Sequence, residues 1–228
     1  MIDRRIVLRF ALREVLGSVL AGVALFWSAG RLDWWPAWAL VAVLLAWSTA
    51  TAIVILRLDP DLLAERLGPR QGAKSWDTAI MSVVGLLTLG RLVVAGLDQR
   101  YGWTGGLPLV VQVAGLLATI LGYGLTVWAT GSNAFFSQIV RVQTERNQTV
   151  AMGGPYRFVR HPAYVGTILC ELSVPLLLAS WWAFIPGGVN AILFVVRTIL
   201  EDSTLQADLD GYAEYARRVR YRLLRGIW

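Results

Sequence analysis

The sequence predicts an all-α integral membrane protein with five to six transmembrane helices, the last two of which form a helical hairpin. Hydrophobic residues make up 56% of the 228 residues, and the chain contains eleven tryptophans. The hydrophobic residues are gathered in long runs, and basic residues flank these runs unevenly. Composition, run length and charge distribution together indicate a multi-pass membrane protein.

Five hydrophobic runs are close to the roughly 17 to 25 residues that cross a bilayer as a helix. They are Val15 to Gly30, Pro36 to Leu56, Thr78 to Leu97, Leu107 to Thr130 and Ala163 to Trp182. A shorter sixth segment, Gly188 to Leu200, follows a predicted break at Pro186-Gly187-Gly188 and either spans the membrane or forms half of a hairpin. Basic residues precede the first run, but no small-residue cleavage site follows it, so we expect a retained helix rather than a signal peptide.

The Lys and Arg residues predict the orientation of the helices. Most of them fall on one side: Arg4, Arg5, Arg9, Arg13, Arg57, Arg66, Arg70, Lys74, Arg141, Arg146, Arg157, Arg160, Arg217, Arg218, Arg220, Arg222 and Arg225. The other side holds Arg31 and Arg100. The positive-inside rule therefore predicts that both termini are cytoplasmic. Topology and anionic headgroups explain the net charge of +6, so we expect no nucleic-acid partner.

Two charged residues lie within the hydrophobic runs. We expect Arg91 to snorkel towards the polar end of its helix at Asp98. Glu171 is a functional candidate as the partner of an arginine or as a proton acceptor, because intramembrane carboxylates are costly. A buried structural pair with Arg197 or with a tyrosine hydroxyl is an equal alternative. Pro175 is expected to kink the same helix.

The connector from Arg57 to Asp77 alternates acids, bases and leucines. This pattern fits a short amphipathic helix on the inner membrane surface, beside the entrance to a site. It also fits a solvated connector without a function. We favour the solvated connector.

The stretch from Gly154 to Gly166, GPYRFVRHPAYVG, holds the only histidine in the chain. Pro162 is predicted to be the first residue of a helix, which places His161 at the helix start. Free N–H groups at such a start attract anionic groups, and the neighbouring Tyr and Arg residues offer aromatic faces and donors to a planar, charged ligand. About thirty polar residues, beginning at Gly131, precede the fifth helix, and loops of this length are typically functional or disordered.

The sixth segment leaves the membrane on the side of the histidine stretch. Arg197, Glu201 and Leu205 are spaced by four and therefore share one helix face. They form either a helix-stabilising ion pair or part of a site. Gly211 is predicted to end this helix, and a basic, aromatic interfacial tail follows.

These motifs, GPYRFVRHPAYVG, Arg197-x-x-x-Glu201-Asp202-x-x-Leu205 and GYAEYARRVRYRLLRGIW, resemble the isoprenylcysteine carboxyl methyltransferase family, whose wider superfamily includes phospholipid methyltransferases. The resemblance covers Asn133 to Trp228. It implies two regions, a scaffold of four helices over residues 1–130 and a catalytic region with a cytosolic cofactor pocket over residues 131–228.

The resemblance also implies a cofactor, S-adenosylmethionine, with S-adenosylhomocysteine as its product. The residues that match the cofactor-binding positions are Gln148, Thr149, Val150, Ala151, Tyr156, His161, Pro162, Ala163, Tyr164 and Glu201. Arg197 matches a substrate-binding position, Arg197 and Glu201 are the expected catalytic residues, and Glu171 is a further substrate candidate. No metal is expected. The chain departs from the family with Asp202 for a second Glu, Arg225 for Pro, and Arg141 for a cofactor-contacting Gln.

The expected function is methyl transfer to a lipophilic acceptor from the bilayer, foremost the carboxylate of a prenylcysteine-like substrate. A lipid amine and a small thiol are alternative acceptors. Sterol reductases share an RHPxY element and would use NADPH, but they typically carry a GWW-like run where this chain has Gly154-Pro155-Tyr156. A transporter or membrane assembly factor is the non-enzymatic alternative, although the chain shows no internal repeat. Membrane lipids are expected neighbours, and the oligomeric state is open.

Overall fold

A computed structural model describes residues 4–58, 61–67 and 72–228. The predicted all-α class is confirmed, and no strand occurs within these ranges. The helices are α1 (Arg4–Ala29), α2 (Trp35–Leu58), α3 (Asp61–Leu67), α4 (Ser75–Tyr101), α5 (Leu109–Gly131), α6 (Pro162–Leu177), α7 (Phe184–Asp208) and α8 (Tyr212–Arg218). Two short 3₁₀ helices, Thr144–Arg146 and Gly154–Arg157, lie in the long loop between α5 and α6.

Four of the described helices, α2, α4, α5 and α7, are long and apolar enough to cross a membrane. Helix α6 is apolar but has only 16 residues. Helix α1 has 26 residues, and apolar side chains such as Leu16 and Val19 are exposed along it, as expected for a helix that faces lipid. The chain is therefore a multi-pass membrane protein.

The lengths predicted for the last two membrane segments are wrong. The fifth segment was expected to be long and the sixth short, but α6 ends at Leu177 and α7 runs for 25 residues. Pro186 does not break α7, because it lies in the first turn, where backbone N–H groups have no helical partner. Gly187 also belongs to the helix, and a Cβ atom there would lie 2.6 Å from the carbonyl oxygen of Glu171. The glycine therefore permits close packing of α7 on α6.

Arg91 does not snorkel, and its predicted position is wrong. Its side chain is buried between α4 and α6, where Nη1 lies 2.6 Å from Oε2 of Glu171. Asn190 on α7 donates a hydrogen bond of 3.2 Å to the same oxygen. The partner of Glu171 is thus an arginine, but Arg91 rather than Arg197. An internal ion pair satisfies both charges, so neither side chain has to reach the membrane surface.

The connector between α2 and α4 is not a solvated segment where the structure describes it. Helix α3 buries Leu62 and Leu63 completely against Phe10 of α1 and Ile55 of α2. The rest of the connector, at residues 59–60 and 68–71 and including Arg70, lies outside the described residues. Helix α3 is therefore a packed element, and the short helix of the alternative interpretation is present.

Candidate active site

The long loop between α5 and α6 is fixed to the helices by carboxylates. Asp77, in the first turn of α4, accepts the backbone N–H of Val140 at 2.8 Å. Glu65 on α3 accepts two hydrogen bonds from Arg141, at 2.9 and 2.7 Å. The Arg141 guanidinium holds the pKa of the Glu65 carboxyl below its ordinary value. A polar segment that would otherwise be solvated is thereby held over the ends of the helices.

Gly154 shapes the turn that leads to the histidine. Its φ is +53°, and a Cβ atom there would lie 2.9 Å from Cβ of Ser132. Only glycine combines this conformation with such a close approach. The helix start predicted at Pro162 is confirmed, because Pro162 is the first residue of α6 and His161 occupies the N-cap position.

The loop and side chains from helices α1 to α8 line a cavity of about 620 Å³. Eleven of the twelve predicted site residues line it: Gln148, Thr149, Val150, Ala151, Tyr156, His161, Pro162, Ala163, Tyr164, Arg197 and Glu201. Glu171 is not among the described lining residues, since it lies deeper between the helices and pairs with Arg91. Glu171 therefore faces a structural partner rather than the cavity.

The residues that line the cavity fall into two chemically different groups, which define a loop end and a helical end. One end is formed by the loop and by the polar residues around Glu201. The other extends between the membrane helices, where it is lined by Trp47 of α2, Met81 of α4 and Phe194 of α7. A ligand with a polar part and a greasy part can therefore occupy both ends at once. Two of these three side chains, Trp47 and Met81, precede residue 131.

Tyr164 links the predicted residues Glu201 and His161. Its hydroxyl donates a hydrogen bond to Oε2 of Glu201. Its ring stacks on the imidazole of His161 with a centroid distance of 5.7 Å, and the Arg197 guanidinium lies 5.2 Å from the Tyr164 ring centroid. Glu201 thus presents a carboxylate beside the aromatic ring of Tyr164, an arrangement that favours a cationic ligand.

Arg197 has a partner that the sequence interpretation missed. Its Nε donates to Oδ1 of Asp77 at 2.7 Å, and Nη2 donates to the carbonyl oxygen of Gln138 at 3.0 Å. Asp77 is fully buried. The alternative in which Arg197 pairs with Glu201 is wrong, because Glu201 bonds to Tyr164. Nη1 has no hydrogen-bond partner among the described residues and remains available to a ligand.

Asp202, which follows Glu201, is a fully buried hub. Arg160 donates two hydrogen bonds to its carboxylate, at 2.7 and 2.9 Å, and Arg222 donates one at 2.9 Å. Nε2 of His161 lies 3.2 Å from Oδ1. The backbone N–H groups of Arg160 and His161 donate to the carbonyl oxygens of Tyr221 and Arg222. The hub therefore fixes both the histidine and the tail.

Tyr156 stands at the loop side of the cavity. Burial raises the pKa of its hydroxyl above the ordinary value, so the group is neutral at physiological pH. The amide of Asn133 lies 3.5 Å from this hydroxyl. From the tail, the Tyr215 hydroxyl donates to the carbonyl oxygen of Tyr156 at 2.7 Å. Tyr156 is thus held at its backbone and offers a neutral hydroxyl at its tip.

Residues 114–207 match the family model described as "Isoprenylcysteine carboxyl methyltransferase (ICMT) family". This part of the chain is similar to the ICMT family. The matched region begins within α5 and ends within α7, so it contains the loop, His161, Arg197 and Glu201. The similarity supports a membrane methyltransferase. No curated protein matches the chain.

Proposed function

We propose that the chain is an integral membrane methyltransferase that uses S-adenosylmethionine to methylate a lipophilic acceptor, foremost the carboxylate of a prenylcysteine-like substrate. The observation that carries this proposal is the cavity with a polar loop end and a greasy helical end. A polar donor would enter from the loop side, which we assign to the cytoplasm. A greasy acceptor would enter from the bilayer.

The residues of the loop end fit such a donor. The volume of about 620 Å³ lies within the range of small-molecule sites. When bound, S-adenosylmethionine supplies a methyl group on a positively charged sulfur. Glu201 and the faces of Tyr164 and Tyr156 would stabilise that positive charge. His161 and Pro162, at the start of α6, would face the polar groups of the donor.

Methyl transfer requires alignment more than acid or base chemistry. A carboxylate oxygen forms the new bond to the methyl carbon while the carbon–sulfur bond breaks, so no proton has to move. Arg197 would position that carboxylate through Nη1, since Nε is committed to Asp77. The chain therefore contributes geometry and electrostatics, and a general base is unnecessary for this acceptor.

A lipid amine is the second candidate acceptor, and Asp77 is the observation that favours it. The Asp77 carboxylate neutralises Arg197. The part of the cavity around Arg197, where we place the acceptor and which we call the acceptor end, thus carries less positive charge than the sequence predicts. An amine is therefore less strongly repelled there. Methylation of an amine releases a proton, for which Glu201 is the proposed acceptor, since the other two carboxylates that line the cavity, Glu65 and Asp77, are paired with arginines. Purified protein assayed with a prenylcysteine, a lipid amine and a thiol distinguishes these acceptors.

The test of the cofactor is a calorimetric titration of detergent-purified protein with S-adenosylmethionine, S-adenosylhomocysteine and NADPH. We expect both adenosyl ligands to bind and NADPH not to bind. Glu201→Gln should weaken the binding of S-adenosylmethionine by about 10- to 100-fold. It should weaken the binding of S-adenosylhomocysteine less, because only S-adenosylmethionine carries a charged sulfur. Glu214→Gln, at an exposed acid on α8, is the control. Binding of NADPH alone would favour a reductase, and binding of no ligand would favour a non-enzymatic protein.

A further inference from the structure

One of the arginines that line the cavity, Arg66 of α3, has no acidic partner comparable to the one that Arg197 has in Asp77. Arg66 lines the cavity. Its Nη2 atom makes two contacts, 3.5 Å to Oγ1 of Thr130 and 3.4 Å to the carbonyl oxygen of Phe136. Both are longer than the roughly 2.7–3.2 Å typical of N–H···O bonds. Its Nε atom is buried and has no hydrogen-bond partner.

The carboxylates near Arg66 are committed elsewhere. Glu14 accepts a hydrogen bond of 2.7 Å from Arg13, and Glu65 is held by Arg141. Among the described residues no carboxylate lies within ion-pair distance of Arg66. Arg13 adds a second positive charge nearby, because its Nη1 donates to the carbonyl oxygen of Arg66 at 2.8 Å. Burial lowers the pKa of Arg66 to about 10, so it is charged at physiological pH.

A partly buried guanidinium without a counter-charge is unfavourable unless a ligand supplies the charge. Arg66 therefore differs from the other arginines of the cavity: Arg13, Arg141, Arg160 and Arg197 each pair with an acid of this chain. Its planar group suits a carboxylate, which accepts two parallel N–H bonds. Its Nη2 atom lies 3.4 Å from the carbonyl oxygen of Phe136 in the loop, which places it towards the loop end.

We infer that Arg66 is a further ligand-binding residue, which receives a carboxylate in the cavity. The inference rests on the proposed function, in which two ligands carry a carboxylate. One is the amino-acid part of S-adenosylmethionine and S-adenosylhomocysteine. The other is the prenylcysteine-like acceptor. Either source supplies the counter-charge that the described residues do not.

The test compares wild type with Arg66→Gln, Arg66→Lys and a matched control, Arg57→Gln, which removes an exposed arginine at the end of α2. Calorimetry measures binding of S-adenosylhomocysteine and of methylthioadenosine, which lacks the amino-acid part. In the same proteins, an N-acetylated prenylcysteine and its carboxamide probe the acceptor end. We expect Arg66→Gln to weaken one carboxylate ligand by about 10- to 100-fold. Arg66→Lys should lie between, because it keeps the charge but loses the planar fork.

The source of the carboxylate follows from which ligand is affected. Weaker binding of S-adenosylhomocysteine with unchanged binding of methylthioadenosine assigns Arg66 to the carboxylate of the methyl donor. Weaker prenylcysteine with unchanged carboxamide and unchanged S-adenosylhomocysteine assigns it to the acceptor. Unchanged binding of both carboxylates in Arg66→Gln overturns the inference while leaving the proposed function standing. Failure of wild type to bind S-adenosylhomocysteine instead overturns the proposed function and this inference with it.

Methylthioadenosine binding also reports whether the variants are folded. Arg66 makes no short hydrogen bond through its side chain, but its guanidinium lies 5.3 Å from the Phe136 ring centroid, so Arg66→Gln should lower the melting temperature by only a few degrees. A variant that lost both adenosyl ligands together would indicate a collapsed site. In that case Arg66→Lys, if its melting temperature is unchanged, tests the inference. The ratio of its affinities for S-adenosylhomocysteine and methylthioadenosine is compared with the same ratio in wild type. An unchanged ratio and unchanged prenylcysteine binding count against the inference.

Discussion

Removal of the Asp77 carboxylate should destabilise the fold and disable the acceptor end together. Asp77 is fully buried, and two groups depend on it: the Arg197 guanidinium at 2.7 Å and the Val140 N–H at 2.8 Å. In Asp77→Ala both donors lose their acceptor. In Asp77→Asn a carbonyl oxygen remains for one of them, but the charge is lost. The two variants thus separate the effect of the charge from that of the hydrogen bond.

The magnitude follows from the burial of the pair. Removing one partner of a buried ion pair costs about 3–5 kcal/mol, because the other charge is left uncompensated. At roughly 2–4 °C per kcal/mol for a chain of this size, Asp77→Ala should lower the melting temperature by about 10 °C. Asp77→Asn should cost roughly half as much, since an acceptor survives. The double variant Asp77→Asn/Arg197→Gln should regain part of the stability, because neither charge is then left unpaired.

The assay is thermal unfolding in detergent, followed by tryptophan fluorescence, combined with S-adenosylhomocysteine titration and methyl transfer. Stability should recover in the double variant, whereas activity should not, because the side chain that we propose positions the acceptor has been removed. Binding of S-adenosylhomocysteine should persist in all folded variants. The reasoning would be refuted if Asp77→Ala melted within 2 °C of wild type, or if the double variant were no more stable than Asp77→Asn alone.

Two further predictions concern ion pairs away from the acceptor end. Arg91→Met should cost about 3–5 kcal/mol, since it leaves Glu171 buried and unpaired, and adding Glu171→Leu should restore most of the melting temperature; equal stability of the single and double variants would contradict this. Glu65→Gln should cost about 1 kcal/mol at pH 7. Because the pKa of Glu65 is lowered in the folded protein, its contribution is complete above the unfolded pKa of about 4.5 and is lost as the pH falls through the folded value. The difference in melting temperature between Glu65→Gln and wild type should therefore shrink below pH 4.5, and a constant difference would argue against the assignment.

The sequence predicts the fold class well because the bilayer imposes a length on each helix. It predicts the length of the hairpin helices poorly. Pro186-Gly187-Gly188 has the composition of a break, yet these residues occupy the first turns of α7. The N–H group that Pro186 lacks would have no helical partner at this position, and Gly187 allows close packing on Glu171. Local residue preference therefore fails where the contact with a neighbouring helix decides the boundary.

Local sequence motifs identify some of the residues that line the cavity. The partners that hold these residues come from distant parts of the chain and cannot be read from the motifs. Gly154 to Gly166 and the Arg197–Glu201 spacing are visible in the sequence, and their residues do line the cavity. Asp77 is 120 residues from Arg197, and Arg91 is 80 from Glu171, so no spacing pattern reveals either pair. Asp77 looks like an ordinary acid beside a hydrophobic run. In the sequence, Arg66 is one of many basic residues between hydrophobic runs. Only the packing of α3 in the structure shows that Arg66 lines the cavity.

The hub at Asp202 has a consequence for the order in which the protein matures during synthesis. The loop residues Arg160 and His161 take their backbone partners from Tyr221 and Arg222, and the Arg160 guanidinium also donates to the carbonyl oxygens of Val219 and Arg220. These partners follow every membrane helix in the sequence and are therefore translated after all of them. The histidine gains its final support only once the tail has been made and has docked. Competence for ligand binding should arise late, in a single step, when the tail docks.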